Sequence, residues 1–292
     1  MTAVTTTMYL DAPSLIYRAF FAVPKTITNA AGQPVNAVRG VMEMIARLKI
    51  DHSPDQIVAA LDADWRPAFR VEAYAAYKVD RPDEPEELTP QFEILGEVLD
   101  VAGIPRVASP GYEADDAIAT LCARVDGNDR ALVVTGDRDL ICLVRDPHVS
   151  LLFTVRGVSE LKRFDEAAVE EAYGIRPGSY VEFAMLRGDP SDGLPGVKGV
   201  GPKTAVALLH RYGSIAAIYD HLADLSPRQR AAFEDARVYL KAMRKVVPPV
   251  TDVELEITEA RPPNEHQMIS FGESNNLESP MLRLFEAFRE KR

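Results

Sequence analysis

Three short apolar runs in this 292-residue chain each end in acid: TTTMYLD reaches Asp11, QIVAALDAD reaches Asp62, and ALVVTGDRD reaches Asp137 and Asp139. Rich in Val, Ile and Leu, each reads as a β-strand buried on both faces. Helical patterns such as VNAVRGVMEMIARLK (35–49) follow. Strands alternating with helices imply an α/β fold, a mostly parallel sheet flanked by helices. In such sheets functional groups gather just beyond the carboxyl ends of the strands, where these aspartates belong.

Elsewhere the pattern changes. VSLLFTVRGVSELKRF (149–164) has two runs around Arg156-Gly157, as in a β-hairpin that closes the sheet with an antiparallel edge. Residues 80–90, DRPDEPEELTP, are Pro-rich and acidic and are expected to form a solvated loop. Beyond Gly174 the strand pattern fades: 178–186 is helical, a Gly-rich stretch and further helices follow, and VVPPVTDVELEI (246–257) breaks them. The division expected is an α/β core over 1–175 and a helical region over 176–292. No repeat of solenoid length is visible.

Carboxylates are the chemical signal. GYEADD (111–116) crowds Glu113, Asp115 and Asp116 before an apolar run. Two like charges ~5 Å apart repel by roughly 3 kcal/mol at an effective dielectric of 20. A helix N-terminus accounts for one acid there and poorly for three. With Asp11, Asp62, Asp137, Asp139, Asp189 and Asp192, nine acids come from five segments. Hard divalent cations prefer oxygen ligands, and Mg²⁺ takes only one or two carboxylates directly, so the set could serve two or three ions with an outer shell to orient waters. Glu113 and Asp116, three apart, share a helix face, whereas Asp115 points elsewhere. The histidines (52, 148, 210, 221 and 266) lack paired ligand spacing, and no nucleophile elbow, P-loop or dinucleotide fingerprint is present.

A second signal is LPGVKGVGPKTAVALLHRYG (194–213). Gly196, Gly199 and Gly201 allow a tight turn with exposed backbone N–H groups, Pro202 suits a first helical position and Gly213 a helix end. With Lys198, Lys203 and Thr204 this is a phosphate-binding arrangement. The net charge of −11 argues at first against a polyanionic partner, yet Gly193 to Tyr219 contains no acid while holding Lys198, Lys203 and Arg211. Arg66 to Arg81, with Arg70 and Lys78, is also locally basic.

Together these stretches resemble the 5′ nuclease (flap endonuclease) family, especially the nuclease domain of bacterial DNA polymerase I and bacterial 5′-3′ exonucleases. LDAPSLIYRAFFA (10–22), LDAD (61–64), FRVEAYAAYKVDRP (69–82), GYEADDAIATL (111–121), VVTGDRDL (133–140) and GDPSDGLPGVKGVGPKTA (188–205) carry the likeness. It implies a twisted sheet with a helical arch, here at about 66–95, over the active site, and a helix–two-turn–helix element at about 178–213 that binds DNA and a K⁺ ion. The nine acids match the family's metal ligands and outer-shell acids. One centre would use Asp11, Asp62, Glu113, Asp115 and Asp116; the other would use Asp137, Asp139, Asp189 and Asp192. Lys78 and Arg81 match the family's basic pair, with Arg70 nearby, and would meet the scissile phosphate once the arch orders. Tyr74 or Tyr77 would stack on a terminal base. Gly193 stands where the family commonly has Asn.

The implied activity is Mg²⁺- or Mn²⁺-dependent 5′-3′ exonuclease and flap endonuclease hydrolysis of DNA, or of RNA in a hybrid, to a 5′-phosphate and a 3′-hydroxyl, in replication and repair. A junction-binding protein without turnover and a metal-dependent RNase are the rivals. The first should lack some of the acids, and the Gly hairpin disfavours the second. Cys122 and Cys142 read as free thiols of a reducing cytoplasm. No run approaches 18 apolar residues, no secretory signal is visible at the start, and nothing like a polymerase follows Arg292, so a monomeric, stand-alone cytoplasmic nuclease is expected.

Overall fold

The structure, a computed structural model, describes residues 4–289; the chain's first three residues and its last three, Arg292 included, lie outside it. One sheet contains β1 (Thr6–Asp11), β2 (Gln56–Ala60), β3 (Arg106–Ala108), β4 (Arg130–Thr135), β5 (Val149–Arg156), β6 (Glu160–Phe164) and β7 (Glu256–Ile257). Its order is β6-β5-β4-β1-β2-β3-β7, with β1 to β5 parallel and an antiparallel strand at either edge.

Helices α1 (Ala12–Ala22), α2 (Asn36–His52), α3 (Ala68–Ala73), α4 (Thr89–Val101) and α5 (Ala114–Ala123) connect the first four strands. After the β5–β6 hairpin come α6 (Glu166–Tyr173), α7 (Tyr180–Arg187), α8 (Pro202–Tyr212), α9 (Ile215–Asp220), α10 (Pro227–Asp235) and α11 (Arg237–Val246). The chain ends in α12 (Glu265–Asn275) and α13 (Glu278–Arg289).

Side-chain alternation explains why the central runs are apolar throughout. Met8 and Leu10 join Val134 and Leu152 in one buried cluster, whereas Tyr9 joins Val133 and Leu151 in the other. Successive residues point to opposite faces, and both faces are covered. Sheet order reverses at β1, which lies between β2 and β4, so a crevice opens beyond Asp11 and Asp137, as expected at such a switch point.

The last stretch of the chain packs back on the sheet. Strand β7 pairs with β3, and Met268, Leu277, Met281 and Leu284 sink into the cluster built by α1, α2 and α4. The helical region therefore occupies α7 to α11, and the chain after it returns to the sheet. Segment 66–95 has two parts. Short α3 and a run of turns to residue 80 wall the crevice, but α4 carries Leu95, Val98 and Leu99 into the core. Cys122 and Cys142 are free thiols. No helix among the described residues is long and apolar enough to cross a membrane.

Candidate active site

Beyond the strand ends lies a pocket lined by Glu113, Asp115, Asp137, Asp139 and Asp192 on its acidic side and by Arg70, Lys78 and Arg81 on its basic side. Local structure places each acid. Asp11 ends β1 and caps α1, its Oδ1 accepting from the Ser14 amide at 3.1 Å while Oδ2 accepts from the Thr135 hydroxyl. Asp62 Oδ1 accepts from the Ala114 amide at 2.7 Å, tying the loop after β2 to the start of α5. Asp137 Oδ1 accepts from the Asp139 amide at 2.8 Å, a turn that fixes both acids after β4.

Crowding raises the proton affinity of this group. Burial pushes Asp11 up to about 7, with Asp137 and Asp62 adding repulsion. Asp115 and Asp139 lie well above the ordinary aspartate range, first because protein surrounds them and then because Asp137 faces both. Asp137 is raised by burial and by Asp192. None of Asp11, Asp115, Asp137 and Asp139 forms an ion pair among the described residues. Uncompensated carboxylates converging on one pocket are a donor set that fits hard divalent cations. As they stand, no three acids among the described residues are grouped closely enough to hold an ion, so binding requires the side chains to adjust.

The other acids of the expected set have other work. Asp116 is fully buried and accepts two hydrogen bonds from Arg70, one at each oxygen and both at 2.7 Å. It also accepts from the amides of Glu113 at 3.1 Å and Val250 at 2.8 Å. Every lone-pair direction is used, so Asp116 holds α3, α5 and the segment after α11 together. Asp189 turns its Oδ1 to the Ser191 amide and hydroxyl at 2.9 and 2.6 Å, and Arg187 approaches its other oxygen at 3.4 Å. Glu113 faces the pocket but is already bonded to Arg70, Tyr77 and Lys78.

Arg70 is buried at the pocket wall, its Nε donating to the Val246 carbonyl at 3.0 Å. Lys78 is not on an exposed helix face. It has φ 54°, its amide donates to Asp192 O at 3.0 Å, and its Nζ is inside the pocket on Glu113. Arg81 bonds Asp192 Oδ1 at 2.5 Å. Tyr77 is buried, 4% exposed, and its hydroxyl donates to Glu113 at 2.9 Å. Tyr74 is half-buried, edge-on to Tyr239 at 6.0 Å.

The glycine turn joins α7 to α8. Lys198, Gly199, Gly201 and Lys203 are exposed, Thr204 is half-buried, and Gly201 caps α8. Gly196 serves a different end. A Cβ there would fall 2.6 Å from the Arg187 backbone, and its amide donates to the Tyr239 hydroxyl at 3.1 Å, so it closes the turn on the protein itself.

Models of the 5′-3′ exonuclease family match nearly the whole chain: its N-terminal resolvase-like domain over residues 6–174 and its C-terminal SAM fold over 175–267. The chain belongs to the 5′-3′ exonuclease family. A 5′-3′ exonuclease of Streptomyces coelicolor is 47% identical over 267 residues, covering 86% of this chain and 88% of that one. DNA polymerase I of Mycobacterium bovis is 46% identical over 219 residues, covering 74% of this chain and 24% of the polymerase. The fold also matches the T5 D15 protein crystallised with metal ions (TM-score 0.67, 19% identity, 97% of this chain and 100% of that one). Flap endonuclease-1 of Methanococcus jannaschii matches with TM-score 0.63 at 16% identity, covering 99% of this chain and 94% of that one.

Proposed function

We propose that this nuclease cuts DNA at 5′ ends and 5′ flaps, using Mg²⁺ or Mn²⁺ held at the strand-end acids. The observation that carries the reading is the set of raised, unpaired carboxylates Asp115, Asp137 and Asp139 beside Lys78 and Arg81. Asp11, Asp62 and Asp115 would serve one ion and Asp137, Asp139 and Asp192 a second, with Asp189 and Glu113 in the outer shell and a third ion in reach. When bound, such ions supply an activated water and positive charge for the phosphoryl oxygens.

The chain's own groups do the rest. Water adds to phosphorus, the bond from phosphorus to the 3′ oxygen breaks, and that oxygen leaves with a proton as a 3′-hydroxyl, the phosphate staying on the 5′ side. Lys78 Nζ and Arg81 bring cationic hydrogen-bond donors to the phosphoryl oxygens as negative charge builds on them. Arg70 and Tyr77 hold Glu113, which holds Lys78 at the pocket wall. The duplex lies on the turn between α7 and α8, its phosphates on Lys198, Lys203 and the free amides at the start of α8. Backbone carbonyls of the same turn are the donors for a K⁺ ion. RNA–DNA hybrids, a monomeric state and a cytoplasmic role in replication and repair complete the reading.

The test is a 5′-labelled duplex with a single-stranded 5′ flap, incubated with Mg²⁺, Mn²⁺ or EDTA. Metal-dependent cuts near the flap junction are expected from the wild type and none from Asp137→Ala. Binding without cutting under every metal condition would instead make this a junction-binding protein.

A further inference from the structure

A second cleft opens beside the acidic pocket, and its chemistry is different. It encloses about 740 Å³, the size of an ordinary ligand site, between α3 and the segment that follows α11. Phe69 and Tyr112 form an aromatic wall, their rings 5.3 Å apart and tilted by 44°. Arg244 and Lys245, both exposed, also line the cleft. Pro249 lines both openings, and Val246 and Val247, the next residues after Lys245, line the acidic pocket.

The cleft's charge says which nucleic acid fits. Glu72 and Asp252 also line it and balance Arg244 and Lys245, so a duplex, gripped chiefly through its phosphates, finds little there. Unpaired nucleotides present base faces as well, and aromatic side chains take them at roughly 1–3 kcal/mol per base. The approach is basic. Residues 236–251 contain no acid in a chain of net charge −11, and Arg237, Lys241, Arg244 and Lys245 recur on α11 at one-turn spacing, all exposed. None of these four forms an ion pair among the described residues.

We infer that this cleft binds the unpaired nucleotides next to the scissile phosphate, with a base on the Phe69–Tyr112 wall and its phosphate on Arg244 and Lys245. The inference rests on the nuclease reading above and names the part of the substrate that enters from the side of α11.

Fluorescence anisotropy in EDTA tests it with two probes, a nicked duplex and the same duplex bearing a 5′ flap of six thymidines. Wild type should bind the flapped probe more tightly. In Arg244→Gln/Lys245→Gln and in Tyr112→Ala, the flapped probe should weaken about fivefold or more, toward the nicked one, which changes less than twofold. Equal weakening of both probes, or of neither, would overturn the proposal. A 5-iodouracil in the flap, irradiated on the wild-type protein, should crosslink to the peptide containing Phe69 or Tyr112, and a crosslink confined to other peptides would overturn it as well. Failure to cleave with divalent ions would sink the nuclease reading separately, because these binding ratios need no turnover.

Discussion

Glu113, Asp115 and Asp116 lie within four positions, yet they serve two regions of opposite electrostatic character. On one side Arg70 and Lys78 neutralise Glu113 and Asp116 in a closed, hydrogen-bonded knot. On the other side Asp115 and Asp139 both face Asp137, and none of the three has an ion-pair partner among the described residues. The helical period makes the split: residues three apart share a face, and the one between looks away. A buried carboxylate that the chain pairs for itself is part of the fold. One left unpaired against its like is chemically suited to a cation from outside.

The sharpest way to break this comparison is to neutralise one acid from each side. Asp115→Asn should lower single-turnover flap cleavage by about 10³-fold or more, the scale on which charge stabilisation of a transition state is felt, and leave stability intact or improved. Asp116→Ala should instead leave buried Arg70 with Glu113 alone, which Lys78 already shares, and the buried amides of Glu113 and Val250 without their acceptor, costing about 3–5 kcal/mol in urea denaturation. If both variants lose activity at unchanged stability, the two regions are one.

A tenfold effect is expected where the two regions are clamped. Gly193 has φ 72°, and a Cβ there would fall 2.6 Å from the Ala76 carbonyl. Its lack of a side chain lets the turn carrying Lys78 dock on the Asp192 loop, through the hydrogen bond from the Lys78 amide to Asp192 O. Gly193→Ala should therefore weaken that docking, slow cleavage about tenfold by displacing a charge that acts on the transition state, and expose the Lys78 amide to faster hydrogen exchange. Unchanged exchange at Lys78 would show that the close approach does not matter.

What was legible in the sequence follows the range of the forces involved. The central strands, the β5–β6 hairpin and α7 announce themselves through local apolar pattern and turn residues. Strands β3 and β7, three and two residues long, are too short to carry a period, and β7 finds its partner about 150 residues away through tertiary packing. The shared face of Glu113 and Asp116 was readable from spacing; its occupant was not. Arg70 lies 46 positions before Asp116 and looks like one more surface cation until α3 folds it under the crevice. Tyr77 hides for the same reason, since nothing local separates a stacking tyrosine from a buried one that donates to Glu113.

A smaller effect sharpens the unpaired side through pH. A carboxyl whose folded pKa lies above its unfolded value binds more protons in the folded state, so it costs stability increasingly as pH rises from about 4 toward the folded value. For Asp11 that window runs to about 7, and Asp115 and Asp139 are raised in the same direction. In EDTA, Asp139→Asn should melt a few degrees above wild type, with a gap that widens from pH 4.5 to 7.5. Saturating Mg²⁺ should narrow or reverse the gap by stabilising wild type more. A gap that ignores both pH and metal would remove Asp139 from the strained set.

The smallest change belongs to the α7–α8 turn, where the chain offers exposed charge and no buried repulsion. Lys203 is exposed at the first turn of α8 and forms no ion pair among the described residues, so the contribution expected of it is one phosphate contact. Lys203→Ala should weaken duplex binding a few-fold, equally for all sequences, and lower the slope of log affinity against log salt by about 1. Asp115→Asn should leave that slope within error of wild type when measured in EDTA, because its charge lies in the pocket and away from the duplex track. A slope that shifts equally in both variants would mean that the turn and the pocket grip the same phosphates.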